Sequence, residues 1–281
     1  MNLESGTTLN ALIDALGKTG LRMSALQACE GAAGNFSIFS RLIDSLEDHF
    51  PVIQEILLPV PAPALAGGVC LVTGSGQRLG GIFDDPAGTL AAIVIGADGK
   101  NGRMHTAHAC RFQRVTSEFN SHLAVHQDQI ARRGGDHHAI VHVQPHHVTF
   151  LSHIAAYQEF KFFNRQLLRW QPEMIFHFPK GIGILPFILP GSQALMQAST
   201  AALAERNLVV WSKHGVLARS DASIVHAADL VEYVETAAQY EYMNILAGAP
   251  ASGLTLEDMR SFCEAIGVQP EILTEIQPGA G

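Results

Sequence analysis

The sequence predicts an α/β fold in which a mixed, largely antiparallel central sheet is layered with helices. Predicted helices and strands alternate along the 281 residues. Several neighbouring strands are nevertheless joined by turns too short for the crossover that a parallel pair requires. Hydrophobic residues make up 47% and charged residues 16% of the chain, which favours a sizeable buried core over disorder. We predict a single domain spanning residues 1–281.

The first part of the chain predicts one helix followed by five strands. Residues 7–19 place Leu9, Leu12, Ile13 and Leu16 on one helical face, and Gly20 is expected to end this helix. A strand is expected to begin at about Asn35. Alternating or continuous apolar runs predict further strands at 52–58 and 69–73, and then two strands around a turn at residues 98–99.

The rest of the chain alternates between the two element types. Residues 116–133 predict a helix that is capped by Thr116 or Ser117 and closed by Gly134 and Gly135. Further along, the patterns predict a strand at 139–144, a helical stretch to about 170, strands at 174–178 and 182–187, a helix at 192–206, strands at 207–212 and 215–220, and helices at 223–246 and 256–266.

Composition excludes several classes of partner. The net charge is −8 and no run is rich in Lys or Arg, so neither nucleic acid nor an anionic membrane surface is expected to bind. The apolar runs are too short to span a bilayer. The four cysteines are widely spaced, as in a reducing compartment, and the segment MNLESGTTLN has no signal-peptide pattern. We therefore expect a cytoplasmic protein.

Two segments of small residues could form an anion-binding site. Thr73 to Gly76 reads Thr-Gly-Ser-Gly after an apolar strand, so backbone N–H groups and the Ser75 hydroxyl could reach an anion. The spacing matches neither a dinucleotide fingerprint nor a P-loop. Gly34 and Asn35 stand at the head of another strand. Each segment, taken alone, is also explained by an ordinary turn.

Thr116, Ser117 and Glu118 begin a predicted helix, whose free N–H groups favour anions. Glu118, His122 and His126 recur every four residues and therefore share one helical face. For the two histidines, the favoured interpretation is a solvated surface stripe. Glu118 could be a metal ligand, a base, or each in turn if a metal lies beside it.

A second group of histidines lies at the ends of predicted strands. His142 and Gln144 alternate along a strand and point the same way, which suits the edge of a metal site. His146 has the same parity, but Pro145 should redirect the chain. His214 lies at the break between two strands, where functional residues are common. In a chain with 14 histidines, coincidence explains each of these positions equally well.

Taken together and in order, several stretches resemble the class II aldolase and adducin-like family from about Glu30 to Pro270. The specificity lies in the combination, because no stretch is diagnostic alone. The matching stretches are GNFS, LVTGSG, DPAGTL, VTSEF with His122 and His126, AIVH, FPKGIGILPFILPG and LVVWSKHGV.

The resemblance implies a metal-dependent active site. His142 and His214 would be metal ligands, and Glu118 would bind the metal and then move a proton. Gln144 stands where the family has a second histidine ligand, so Mn, Co, Fe or Mg becomes an alternative to zinc. Glu173 matches a second catalytic carboxylate that assists at a subunit interface. The substrate phosphate would be held by Gly34, Asn35, Ser75, Gly76, Thr116 and Ser117.

The same resemblance implies a homotetramer that cleaves a small-molecule sugar phosphate. The expected reaction splits a ketose 1-phosphate, with rhamnulose 1-phosphate the leading expectation, into dihydroxyacetone phosphate and an aldehyde. An epimerase, dehydratase or decarboxylase on the same scaffold is the first alternative, because it would use the same metal chemistry. A non-catalytic adducin-like module is the second, but it would need neither Glu118, nor the Thr-Gly-Ser-Gly loop, nor His214.

Overall fold

The computed structural model describes residues 8–43 and 45–276, which are built around one nine-stranded sheet. The sheet order is β2-β5-β4-β3-β1-β6-β9-β8-β7. All neighbouring pairs are antiparallel except β7–β8, so the predicted fold class is confirmed. The strands are β1 (Asn35–Ser40), β2 (Val52–Leu57), β3 (Val69–Thr73), β4 (Leu90–Ile95), β5 (Asn101–Thr106), β6 (His137–Val143), β7 (Gly183–Leu185), β8 (Leu208–Trp211) and β9 (Gly215–Ser220).

Helices cover both faces of this sheet. They are α1 (Leu9–Ala25), α2 (Leu46–His49), α3 (Pro86–Thr89), α4 (Phe119–Arg133), α5 (His146–Leu151), α6 (Phe160–Leu168), α7 (Pro172–His177), α8 (Gln193–Leu203), α9 (Ile224–Leu246), α10 (Leu256–Ala265) and α11 (Ile272–Glu275). The largest core packs α1, α5–α7 and α9 against one face, whereas smaller clusters pack α4 and α8 against the other.

The two central strands, β1 and β6, divide their side chains between these layers. Phe36 and Ile38 of β1 join the core on the α1 and α9 side. Alternate residues point to opposite faces of a strand, so Asn35 and Ser37 point towards α4, where both contact its side chains. Both polar side chains are buried, and Asn35 contacts the site described below.

Helix α1 continues five residues past the predicted stop at Gly20, so that prediction is wrong. A Cβ at Gly20 would lie 2.1 Å from the carbonyl oxygen of Leu79. The missing side chain therefore lets α1 pack closely against the 3-10 turn Leu79–Gly81. Arg22, beyond the glycine, pairs with Asp229 of α9 at 2.6 Å, which anchors the extra turn.

The predicted strand at 174–178 is also wrong, because Pro172–His177 forms helix α7. Proline is well suited to the first position of a helix, where its missing N–H is not needed. Met174, Ile175 and Phe178 are the buried residues, at helical rather than alternating spacing. The apolar run was too short for periodicity to separate the two structures.

Strand β2 forms one edge of the sheet, and most of its residues are exposed. In the described part of the chain, none of the helices has the length and apolar content that a bilayer crossing requires. The N-terminal residues 1–7, on which the expected lack of a signal peptide partly rests, lie outside the described residues.

Candidate metal centre

Three of the predicted site residues converge from three separate elements. Glu118 precedes the first turn of α4, His142 lies near the end of β6, and His214 lies in the turn between β8 and β9. The Glu118 carboxylate is 3.3 Å from Nε2 of His142 and 3.6 Å from Nε2 of His214. Their ligand atoms all lie within 4.8 Å of one another, so one ion could contact all three.

The turn that carries His214 is held in an unusual backbone conformation. Lys213 has φ of 65°, in the left-handed region that non-glycine residues rarely adopt. Its N–H donates to Ser152 Oγ at 2.7 Å, and the His214 N–H donates to the Trp211 carbonyl at 3.0 Å. A Cβ at Gly215 would lie 2.4 Å from the Val143 carbonyl oxygen, so glycine is needed for β9 to approach β6 here.

His142 is oriented by its second ring nitrogen. Nδ1 lies 2.8 Å from the backbone carbonyl of Val216, which accepts only if Nδ1 carries the proton. This arrangement directs Nε2 towards Glu118, and metal-bound histidines commonly have their other nitrogen donating to a carbonyl in the same way. The Trp211 ring packs 4.6 Å from His142 and 5.3 Å from His214, centroid to centroid, and limits the movement of both.

The electrostatics favour an ionised carboxylate beside a neutral imidazole. Burial opposes ionisation of Glu118, but the neighbouring His142 and the Asn35 amide outweigh it, so the pKa of Glu118 lies below its usual range. Burial and the neighbouring His142 lower the pKa of His214 to about 4. Near neutral pH, His214 is therefore uncharged, which is the form that binds metal ions.

The donor set fits a divalent metal ion. Two imidazole nitrogens and a carboxylate oxygen match the three protein ligands of catalytic zinc sites, which leave a position for substrate. Nδ1 of His214 is buried without a hydrogen-bond partner among the described residues.

Gln144 lies beside the turn that carries His214. It follows the last residue of β6, and its backbone N–H donates to the Ala28 carbonyl at 2.6 Å. Its Cγ would be 3.0 Å from a Cβ placed on Gly215, so the side chain lies beside the turn that carries His214. His146 is the first residue of α5 and is exposed.

The Thr-Gly-Ser-Gly loop is in direct contact with the segment that leads into α4. An isolated β-bridge joins Gly74 to Val115, Ser75 N–H donates to the Arg114 carbonyl at 2.9 Å, and Thr116 N–H donates to the Thr73 carbonyl at 3.1 Å. Gly76 has φ of 74°, and a Cβ there would meet no atom within 4 Å. The Thr-Gly-Ser-Gly loop therefore presents open space beside the start of α4.

Some predicted phosphate-binding groups have other partners in the structure. The Asn35 side-chain amide donates to Glu118 Oε2 at 2.8 Å, and the Thr116 hydroxyl accepts from the Glu118 N–H at 3.3 Å. Helix α4 therefore starts three residues later than predicted, and neither Thr116 nor Ser117 is its N-cap residue. Gly34 has φ of 83° and packs against the His142 carbonyl. Ser117 is exposed.

Glu173 lies in the first turn of α7 and is exposed, outside the cluster of Glu118, His142 and His214. The interpretation of His122 and His126 as a solvated stripe is wrong, because both side chains are fully buried. Sequence reasoning also assigned no role to Trp211, whose ring packs against both His142 and His214. The sequence feature that could have indicated a role for Trp211 is its position at the end of an apolar strand, three residues before His214.

Comparison with known proteins identifies relatives along most of the chain. The family model of the class II aldolase and adducin N-terminal domain matches residues 14–242. A rhamnulose-1-phosphate aldolase from Escherichia fergusonii is 29% identical over 218 residues, which cover 77% of this chain and 78% of that protein. A rhamnulose-1-phosphate aldolase from Pectobacterium carotovorum is 27% identical over 223 residues, with 79% and 80% covered.

Solved structures show the same fold. A sugar-phosphate aldolase from Thermotoga maritima has a TM-score of 0.71 at 24% identity, and the match covers 87% of this chain and 99% of that one. An L-fuculose 1-phosphate aldolase has a TM-score of 0.60 at 20% identity, covering 94% and 100%. At these identities, the structural likeness establishes the fold and leaves the substrate open.

Proposed function

The chain belongs to the family of class II aldolases and adducin N-terminal domains, and on that premise we propose that it is a metal-dependent aldehyde-lyase. The proposed substrate is a ketose 1-phosphate, with rhamnulose 1-phosphate first, since relatives at 27–29% identity carry that name. The products would be dihydroxyacetone phosphate and an aldehyde. This reaction would place the enzyme in rhamnose metabolism.

The proposal is carried by the convergence of Glu118, His142 and His214 within 4.8 Å. A divalent metal bound there, zinc first and Mn, Co, Fe or Mg next, supplies a Lewis acid for the oxygens of a hydroxyketone. An adducin-like module without catalysis would have no need for these buried, mutually oriented ligands.

Glu118 is suited to move a proton at its carboxylate oxygens. Its lowered pKa keeps it ionised near neutral pH, so it can accept a proton from the substrate. Asn35 donates to Oε2, and that hydrogen bond fixes the plane of the carboxylate. We therefore assign to Asn35 the orientation of Glu118, in addition to its proposed part in phosphate binding.

The phosphate would bind where the Thr-Gly-Ser-Gly loop meets the start of α4. Gly76 and Ser75 lie in the loop, and Ser117 is exposed beside it. Gly34 and Thr116 are the further residues that we propose for phosphate binding. Among residues 8–43 and 45–276, the backbone N–H groups of Gly76 and Ser117 donate to no other protein atom. Free N–H groups near a helix start suit a dianionic phosphate.

Glu173 would act at a subunit interface of a homotetramer. Its exposure on α7, next to Phe176, whose exposed fraction is 55%, supports a contact with another copy of the chain. We also propose a cytoplasmic location, which the four free cysteines support.

Gln144 is the observation that favours a second candidate. The family's second imidazole is replaced by an amide, so the metal environment could be retuned towards epimerisation, dehydration or decarboxylation of a related sugar phosphate. These reactions share the need for a polarised carbonyl and a base.

A screen of ketose 1-phosphates tests the proposal. The protein is purified, its metal content is measured, and release of dihydroxyacetone phosphate is followed by a coupled reduction assay. We expect release from at least one ketose 1-phosphate, and loss of release after chelation. If the loaded protein consumes a sugar phosphate without releasing dihydroxyacetone phosphate, the second candidate replaces the aldolase.

A further inference from the structure

A continuous line of hydrogen-bonded side chains lies between α4 and the central sheet. Ser37 Oγ is 2.7 Å from His122 Nδ1 and 2.7 Å from His126 Nε2. His126 Nδ1 is in turn 2.6 Å from His138 Nδ1. All four side chains are fully buried. We call these four residues the histidine chain.

The secondary structure places the histidine chain in line with the metal centre. Glu118, His122 and His126 follow one another at four-residue spacing along α4. On the facing strand β1, Asn35 bonds Glu118 and Ser37 bonds both histidines. Apolar residues would pack this layer at lower cost, since buried polar groups need partners. The line of polar groups therefore calls for a role other than stability.

The inner end of the histidine chain lies one helical turn from Glu118. Nε2 of His122 is buried and has no hydrogen-bond partner in the described part of the chain. This free nitrogen is therefore the inner end of the histidine chain, and a water molecule would have to link it to Glu118.

The outer end reaches the protein surface. Nε2 of His138 is 3.8 Å from Oδ1 of Asp221, whose side chain is 51% exposed. Arg219 and Arg133 lie 3.6 and 3.9 Å from the same carboxylate. His138 itself is fully buried and its Nε2 forms no hydrogen bond among the described residues, so a water molecule would have to bridge it to Asp221.

The histidine chain is uncharged and has two consistent hydrogen-bond directions. Burial lowers the pKa of His122 to about 3, and burial also lowers the pKa values of His126 and His138 well below the usual range. Each ring therefore carries one N–H. The contact between His126 and His138 joins two Nδ1 atoms, and only one of the two can carry a proton. The hydrogen bonds of the chain therefore have two possible arrangements. In one, every N–H and O–H points towards Asp221, and in the other, every one points towards His122.

We propose that the histidine chain relays protons between the metal centre and the surface at Asp221. A proton released by Glu118 reaches His122 Nε2 through a water molecule, and the Nδ1 proton of His122 passes to Ser37. The Ser37 proton passes to His126 Nε2, and the His126 Nδ1 proton passes to His138 Nδ1. The His138 Nε2 proton then leaves through a second water molecule at Asp221. One proton enters and one leaves, and passage in the other direction restores the first arrangement. The relay rests on the proposed function, in which Glu118 takes a proton from the substrate.

The test compares exchange with cleavage. With metal-loaded protein in heavy water, NMR follows the exchange of carbon-bound hydrogen in dihydroxyacetone phosphate, and the coupled assay follows aldol cleavage. Ser37→Ala removes the bridging hydroxyl. We expect exchange to slow by about 10²-fold, the low end for a lost proton-transfer group, while cleavage keeps most of its rate. Ser121→Ala is the matched control, since this buried hydroxyl on α4 has no partner among the described residues.

Equal losses of exchange and cleavage in Ser37→Ala, or unchanged exchange, would overturn the relay. If Ser37→Ala does not fold, His138→Gln interrupts the histidine chain at its outer end and the same outcomes apply.

A second readout does not depend on activity. In metal-free protein, ¹⁵N NMR reports which ring nitrogen of His138 carries the proton. Glu118→Gln introduced into the parent sequence should shift the His138 ¹⁵N signal. The same substitution introduced into the Ser37→Ala variant should leave that signal unchanged. If the parent neither cleaves nor exchanges any substrate, the proposed function fails, yet this coupling still decides whether the histidine chain is connected. If Glu118→Gln does not shift the His138 signal in the parent background, the relay is overturned.

Discussion

At the scale of single residues, Glu118 is held by an amide and two imidazoles, and this environment defines its chemistry. Glu118→Gln keeps the shape of the side chain but cannot accept a proton. We expect turnover to fall by a factor of about 10² to 10⁴ at saturating metal, with the circular dichroism spectrum unchanged. Saturating metal is needed because the amide is also a weaker ligand. An unchanged turnover number would remove Glu118 from the mechanism.

Gln144 is the residue on which metal preference depends. Its side chain lies beside Gly215, close to His214, and an imidazole there could add a nitrogen donor. We expect Gln144→His to tighten zinc binding by about 10–100-fold, the range seen even for groups next to ligands. Competition with a chromogenic chelator measures this affinity. His146→Gln is the control and should leave zinc binding unchanged, since His146 is exposed.

If Gln144→His binds zinc as the parent does, Gln144 lies outside the ligand shell. Weaker zinc binding in His146→Gln would instead assign the position to His146.

At the scale of elements, Gly20 explains how α1 packs. An added Cβ would meet the Leu79 backbone, which cannot give way as a flexible side chain would. We expect Gly20→Ala to lower the free energy of unfolding by about 1–3 kcal/mol, as overpacking does. Gly81→Ala in the contacting turn should change it by less than about 0.5 kcal/mol, because nothing lies within 4 Å of its Cβ. Urea unfolding of both variants checks the difference, and equal effects would contradict this account of the packing.

The elements that could be predicted are those whose signal is local. The sequence pattern predicted a helix at residues 223–246, and α9 spans Ile224–Leu246. Gly20 and the run 174–178 were misinterpreted because the deciding contacts, with Leu79 and with the core, come from distant residues.

The same reason separates the predicted and missed parts of the site. His142 and His214 stood out at strand ends, where functional side chains collect. Ser37 lies 85 residues from His122 in sequence, so nothing local showed that it bonds two histidines. Burial of the α4 face, rather than its spacing, separates a hydrogen-bonded chain from a solvated stripe.

At the scale of the whole molecule, buried neutral histidines make stability depend on pH. The pKa of His122 is about 3 in the folded chain, against about 6.5 when unfolded. Between these values the unfolded state binds more protons, so stability falls as pH falls below about 6.5. His126 and His138 act in the same direction. Each contributes a slope of up to about 1.4 kcal/mol per pH unit.

Urea unfolding of metal-free protein between about pH 7 and pH 5 measures this slope, above the range where carboxylates titrate. His126→Gln should reduce the slope by about one proton, whatever its effect on the free energy of unfolding itself. A free energy of unfolding that stays constant over this interval would show that these histidines are already protonated or solvated.

The central claim is that Glu118, His142 and His214 form one metal centre. Anomalous diffraction at the zinc edge, from crystals grown with one equivalent of zinc, tests it most directly. We predict one strong peak at about 2.0–2.1 Å from Nε2 of both histidines, with the Glu118 carboxylate as a further ligand. A zinc peak elsewhere in the chain, with no density between these three side chains, would contradict the account.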